Sequence, residues 1–388
     1  MSVEFEFSER LQTLPPYLFL EIDKAKRAAV AQGRDIINLG IGDPDLPTPE
    51  HIIQSLLEAA KNGDNHHYAL DAGLPALKEE IGIWFHKRFN VQLEVNTEIY
   101  PLIGSKEGIA HFPLAFINPK DKVLLTDPAY PAYRPTITFA GGQISNVPLQ
   151  PTLGFLPDLK KIADAKNIKM VVINFPNNPT AAVATKEFYE GLVKLAHEKG
   201  FIILSDMAYS EVYYDGEPPL SILEIEGARD VAIEFHSLSK TYYMTGWRIG
   251  WACGNAKLVA GLAKVKSNYD SGIFQAIQVA GITALQSPDE VTDDMRTLFQ
   301  ERRDALINGL RSIGWKIDPP KAAFYVWAKL PKGFTDSMSC AKTFLDQADI
   351  VITPGNGFGA GGEGYVRMAL TVPTNRIHEA VTRIGKVL

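Results

Sequence analysis

Ser237, Ser239 and Lys240, followed by Arg248 in the run Gly246-Trp247-Arg248-Ile249-Gly250, gather an amine, two hydroxyls and a guanidinium in one short stretch. A lysine can capture a carbonyl covalently, and hydroxyl donors with a permanently charged guanidinium suit a phosphate dianion. The stretch follows the apolar run Val231-Ala232-Ile233-Glu234-Phe235, so these groups open at the mouth of a strand. A phosphorylated cofactor carrying an aldehyde would need all of them, and pyridoxal phosphate fits that description. Each residue alone has a plainer explanation. A lysine after serines is commonly a solvated surface residue, and Arg248 could simply stack on Trp247.

A second set of polar residues falls where other apolar runs stop. Lys122 to Thr126 ends at Asp127-Pro128, Lys169 to Asn174 at Phe175-Pro176, Phe201 to Leu204 at Ser205-Asp206, and Val231 to Phe235 at His236-Ser237. Ligands of open α/β sheets bind beyond the carboxyl ends of strands, so Asp127, Asn174, Asp206 and Ser237 are predicted to share a cleft. Asp206 is the carboxylate that could keep a pyridine nitrogen protonated, the competing reading being a helix cap. Tyr209 and Asn178, the latter in Asn177-Asn178-Pro179-Thr180, offer neutral donors to the ring oxygen, although Asn-Pro is commonly just a turn. Ser105, in Gly104-Ser105-Lys106-Glu107-Gly108, precedes a helical pattern whose amino end would attract phosphate; an N-cap serving only the helix is the plain alternative. Tyr130 could stack on a pyridine ring or fill the core.

The elements that must position these groups read as an α/β fold, with a mostly parallel central sheet and helices on both faces. Lys186 to Lys199, with Leu192, Leu195 and Ala196 on one stripe, is a crossover helix. After Gln286 the pattern changes. A charged helix over Asp293 to Leu310, an aromatic strand around Ala323 to Trp327, another helix and a strand over Gly364 to Leu370 describe a smaller α+β domain. Ile36 to Leu39 is a strand without a neighbour in sequence, so the amino-terminal segment is expected to return to that domain. The expected division is a large cofactor-binding domain over 46–287 and a small domain built from 1–45 and 288–388. Gly357 to Gly362 matches G-x-G-x-x-G, but Tyr365-Val366-Arg367-Met368 continues as a strand instead of a helix. It reads as a flexible turn.

The bulk numbers exclude several classes. The 388 residues carry a formal charge of −6, which gives no reason to expect nucleic acid or an anionic membrane as partner. Cys253 and Cys340 are isolated, supporting neither a disulfide framework nor a metal site. The acidic amino terminus lacks a secretion-signal pattern and no apolar run approaches membrane-spanning length, so a cytoplasmic location is expected.

The ordered set of NNPT at 177–180, SDMAY at 205–209, SLSK at 237–240 with GWRIG at 246–250, and YVRMAL at 365–370 resembles the class I/II aminotransferases, fold-type-one pyridoxal phosphate enzymes. The resemblance covers nearly the whole chain. It implies that Lys240 bonds the cofactor and acts in catalysis with Asp206 and Tyr209. Asp206 would face the ring nitrogen, and Asn178 and Tyr209 the ring hydroxyl. Ser105, Ser237, Ser239 and Arg248 would hold phosphate, and Arg367 the substrate carboxylate. It also implies a homodimer with shared active sites, Tyr68 reaching the neighbour's phosphate, and a substrate loop at Gly42. Leu14 to Phe19, Gly40 to Pro47 and Lys266 to Gln275 look most like the LL-diaminopimelate aminotransferase group, which adds Tyr17, Lys106 and Asn268 as contacts. The implied reaction is ping-pong transfer of an amino group from an amino acid to 2-oxoglutarate. Alternatives left open are another amino donor such as aspartate, a β-lyase using the same cofactor, and a non-catalytic ligand sensor. Two departures stand out: Ala181 where the pattern has glycine, and Tyr243 where that group more often has asparagine.

Overall fold

Runs of aliphatic and β-branched residues buried on both faces make the central sheet, as in Met170-Val171-Val172-Ile173, none of which is more than 2% exposed. The computed structural model describes residues 5–14, 18–69 and 72–388. Its strands in chain order are β1 (Ile37–Asn38), β2 (Ile99–Leu102), β3 (Lys122–Asp127), β4 (Gln143–Pro148), β5 (Ile168–Asn174), β6 (Ile202–Asp206), β7 (Ala232–Ser237), β8 (Gly250–Gly254), β9 (Tyr325–Lys329), β10 (Ile350–Val351), β11 (Thr353–Pro354) and β12 (Tyr365–Ala369).

Seven of them form one sheet in the order β2-β8-β7-β6-β5-β3-β4. β3 to β7 are parallel to one another, and β8 alone opposes its neighbours β7 and β2. The register aligns the strand ends that matter: Asn174 is opposite Asp206, and Asp206 opposite Phe235. The helix Lys186–Lys199 shows how such a unit is closed. Thr185 caps it by accepting from the Phe188 N–H, Gly200 ends it at φ 72°, and Phe188, Leu192, Val193 and Ala196 go under the sheet. Burying Leu192 completely stabilises the fold by about 2 kcal/mol. A second helix, Ser105–Phe116, starts directly after Gly104 and packs against the opposite face through Ile109 and Phe112.

A separate core surrounds the antiparallel sheet β11-β12-β9 and the long helix Asp289–Ser312. The amino-terminal strand does return there: Ile37 pairs with Ile350 in a parallel β1–β10 ladder. Two sequence expectations change. The charged helix is longer than read, and the Gly357 to Gly362 segment is not a flexible turn. It forms two short 3₁₀ turns, Gly355–Phe358 and Ala360–Gly362, whose glycines allow close backbone packing on Asp127. Among the described residues no helix is long and apolar enough to cross a membrane.

Candidate active site

The ends of β5, β6 and β7 converge as expected, bringing Asn174, Asp206 and Ser237 onto a pocket of about 350 Å³. Asp127 at the end of β3 does not line it, its carboxylate being turned to the Gly361 N–H and Asn146, and Tyr130 three residues on forms that wall instead. Gly42, Ser105, Lys106, Tyr130, Asn178, Asp206, Tyr209, Ser237, Ser239, Lys240, Arg248 and Arg367 all line the pocket. Segments separated by hundreds of residues therefore meet in one place.

Lys240 projects from the one-turn helix Leu238–Thr241, whose amino end is capped by Ser237 Oγ accepting from the Ser239 N–H. Its Nζ donates to the Gly42 carbonyl at 3.1 Å and stands 5.6 Å from the Phe324 ring centre. Burial lowers the amine pKa to about 8. Asp43 opposes the shift, whereas Arg248 and Arg367 add to it. A neutral amine is thus within reach near physiological pH.

Asp206 shows the opposite influence of burial, which raises its pKa to about 6. Two hydrogen bonds pull it back down: the Tyr133 hydroxyl donates to Oδ2 at 2.6 Å, and the Ala208 N–H to Oδ1 at 3.3 Å. The strand end is further fixed by Asn174, whose Nδ2 donates to the Asp206 carbonyl while its Oδ1 accepts from the Asn178 N–H. A cationic ring nitrogen next to this carboxylate would favour its ionised form. Tyr133 was not singled out in the sequence, where an aromatic on a short apolar helix reads as core.

The other end of the pocket is built for an anion. Gly104, at φ 75°, turns the chain into the helix beginning at Ser105, and a Cβ on Gly104 would lie 2.3 Å from Arg248 Nη2. Only glycine lets the guanidinium approach the helix amino terminus this closely. Arg248 also donates through Nη1 to the Thr245 carbonyl at 2.9 Å. With the buried Ser105 and Ser239 hydroxyls, this set supplies donors for a phosphate, and the buried acid and the amine suit a pyridine aldehyde. The residues fit pyridoxal phosphate.

Arg367 lies 1% exposed on β12. Nη1 donates to Asn178 Oδ1 at 2.8 Å and Nη2 to the Gly40 carbonyl at 2.7 Å, both neutral acceptors. Its guanidinium carbon stands 4.1 Å from the Tyr325 ring centre and 4.9 Å from that of Phe358. Tyr325 shares a 2.8 Å hydroxyl contact with Tyr209, and a Cβ on Gly42 would come within 2.1 Å of the Tyr325 hydroxyl. Glycine at 42 is therefore required by Tyr325, a pocket residue that the sequence presents only as one more aromatic in an apolar strand.

Two expected contacts are not brought to this pocket within the chain. Tyr68 is 78% exposed, and Asn268 donates to the Lys264 carbonyl at 2.8 Å, finishing its own helix. Tyr17 lies outside the described residues. Glu107, His111 and Asp270 bring ligand-type atoms within 4.8 Å of one another. The ammonium of the buried Lys266 is paired there with both carboxylates, so a cation is already in place.

Comparison with known proteins gives a consistent picture. The family model described as aminotransferase class I and II matches residues 34–384. The LL-diaminopimelate aminotransferase of Maridesulfovibrio salexigens is 54% identical over 99% of this chain and 100% of its own length. That of Aquifex aeolicus is 53% identical over 98% of each. Among solved structures, substrate-bound BacF from Bacillus subtilis superposes with a TM-score of 0.95 at 34% identity, covering 99% of this chain and 98% of that one. A single mutant of the Thermus thermophilus aspartate aminotransferase does so with a TM-score of 0.92 at 30% identity, over 99% and 100%.

Proposed function

The chain belongs to the class I and II aminotransferases, pyridoxal-phosphate-dependent enzymes that transfer amino groups, and on that premise we propose that it takes the amino group of LL-diaminopimelate and passes it to 2-oxoglutarate. When bound, pyridoxal phosphate supplies a carbonyl for the amino group and a protonated ring that withdraws electrons from the α carbon. Lys240 is the residue that carries the cofactor and, once free and neutral, takes the α proton on Nζ. Asp206 holds the ring nitrogen, while Tyr209 and Asn178 face the ring oxygen and Tyr130 the ring plane. Ser105, Ser237, Ser239 and Arg248 hold the phosphate. Arg367 grips the α-carboxylate in two-pronged fashion, which orients the bond to be broken. Gly42 and Lys106 border the substrate.

The observation that carries this reading is that Lys240 and Asp206 open on the same pocket as the two guanidiniums, Arg248 and Arg367. The names borne by the relatives support the choice of donor. The proposal extends to a cytoplasmic homodimer in which Tyr17, Tyr68 and Asn268 serve the pocket, with domains at 46–287 and at 1–45 plus 288–388.

The deciding assay offers the purified enzyme LL-diaminopimelate, aspartate and aromatic amino acids in turn, each with 2-oxoglutarate, and follows glutamate. LL-diaminopimelate should give the highest kcat/KM, and Lys240→Ala should give no turnover. Release of ammonia and pyruvate from a cysteine derivative, without glutamate formation from any donor, would replace transamination by lyase chemistry.

A further inference from the structure

The glycine-rich segment set aside in the sequence is fastened to the end of β3. The Ala129 N–H donates to the Phe358 carbonyl at 2.8 Å, and the Gly361 N–H donates to Asp127 Oδ1 at 3.0 Å. Asp127 Oδ2 accepts from Asn146 Nδ2 at 3.3 Å. Glycine is demanded on the loop side: at Gly359, φ 125°, a Cβ would lie 2.1 Å from Asp127 Oδ1, and at Gly361 it would lie 2.6 Å from the Asp127 carbonyl oxygen. What this fastening holds is Phe358, 4% exposed, with its ring against the Arg367 guanidinium and edge-on to Trp327. Through Pro128 and Ala129, Asp127 also leads to Tyr130 at the pocket wall.

We propose that Asp127 is a positioning residue for substrate binding: by anchoring Gly361 it holds Phe358 against Arg367 and so sets the guanidinium plane relative to Tyr130. The inference rests on the reading that Arg367 binds the substrate carboxylate. A planar guanidinium makes two parallel hydrogen bonds to a carboxylate only when its plane is held; a tilt leaves one. Two aromatic rings and two neutral acceptors are among the groups that bound that plane, and of these Phe358 is the one tied to the end of β3, by the Ala129 N–H and through Gly361 by the Asp127 carboxylate. Asparagine at 127 keeps an oxygen for the Gly361 N–H and sets its amide NH2 toward Asn146, whose own amide flips to present its oxygen, whereas alanine removes the acceptor altogether.

The test uses the cofactor-loaded enzyme and its Asp127→Ala, Asp127→Asn, Phe358→Leu and Arg367→Gln variants. Maleate, a dicarboxylate that cannot react, is titrated against each by the change in cofactor absorbance. KM and kcat for the amino donor and the cofactor dissociation constant are measured alongside. Asp127→Ala and Phe358→Leu should weaken maleate binding and raise KM about tenfold, the equivalent of one charge-assisted hydrogen bond. Cofactor dissociation should stay at the wild-type value, and Asp127→Asn should restore maleate affinity. If Arg367→Gln loses maleate but Asp127→Ala and Phe358→Leu bind it like the wild type, the positioning role is wrong. Equal weakening of maleate and cofactor in Asp127→Ala, or no rescue by asparagine, would also overturn it in favour of a general structural role. Arg367→Gln binding maleate normally would instead remove the carboxylate assignment beneath it.

Discussion

The Tyr133 hydroxyl and the Asp206 carboxylate are joined by a 2.6 Å hydrogen bond between two buried side chains of the pocket wall. The tyrosine supplies the largest influence opposing the upward shift caused by burial, ahead of the Ala208 N–H. A hydrogen bond to a charged group is worth about 1.5–3 kcal/mol, which is at least tenfold in binding. Tyr133→Phe should therefore weaken pyridoxal phosphate binding at pH 7 by about tenfold or more, measured by absorbance titration of the cofactor-free protein. An unchanged dissociation constant would show that the tyrosine does not support the ionised acid.

Asp206 itself should destabilise the protein when no cofactor neutralises it. Its folded pKa, about 6, lies above the ordinary 3.8, so between those values the folded state holds a proton that the unfolded state has released. Stability from this group is present below pH 3.8 and lost as pH rises to about 6. The shift corresponds to on the order of 3 kcal/mol. Cofactor-free Asp206→Asn should consequently melt above the wild type at pH 7, with the gap closing toward pH 4, and should lack turnover when loaded. Thermal melts of both proteins across that range check the sign.

Lys240 behaves in the mirrored way. Its folded pKa, about 8, is below the ordinary 10.5, so the buried ammonium costs stability below pH 8 and the loss is recovered as pH rises from 8 to 10.5. In the cofactor-free protein the neutral amine should be modified by an acylating reagent with a midpoint near pH 8. Mass spectrometry of the peptide carrying residue 240 measures that midpoint, and a value above 10 would contradict a desolvated amine.

Much of this site was legible because strand ends announce themselves. An apolar run that stops at an acid, as Ile202-Ile203-Leu204 stops at Ser205-Asp206, predicts both the strand and the place of its last side chain. Tyr133 and Tyr325 were not legible, since an aromatic among apolar residues looks the same whether its hydroxyl points into core or pocket. Asp127 was assigned to the cleft and does not line it, because nothing along the chain tells that Gly361 will be its hydrogen-bond donor. The Gly357 to Gly362 spacing describes backbone freedom and leaves its packing partner unspecified. Tyr68 and Asn268 cannot be placed from local pattern at all, because no element of this chain carries them to the pocket.

The two departures from the family pattern share a backbone property: Ala181 has φ 59° and Tyr243 φ 56°, the left-handed region that glycine and asparagine tolerate. Ala181 closes the tight turn that presents Asn178, its N–H donating to the Asn177 carbonyl at 2.8 Å. An alanine there carries about 1–2 kcal/mol of strain. Its methyl group is buried, which returns about 0.8 kcal/mol, and glycine would lose more backbone entropy on folding. These opposing effects nearly cancel, so Ala181→Gly should fall within about 0.5 kcal/mol of the wild type in urea unfolding. A β-branched residue has no such compensation, because its second γ branch collides with the left-handed backbone. Ala181→Val should cost about 2 kcal/mol or more and loosen the Asn178 turn, raising KM for the amino donor. A valine variant as stable as the wild type would mean that the turn relaxes out of the left-handed region.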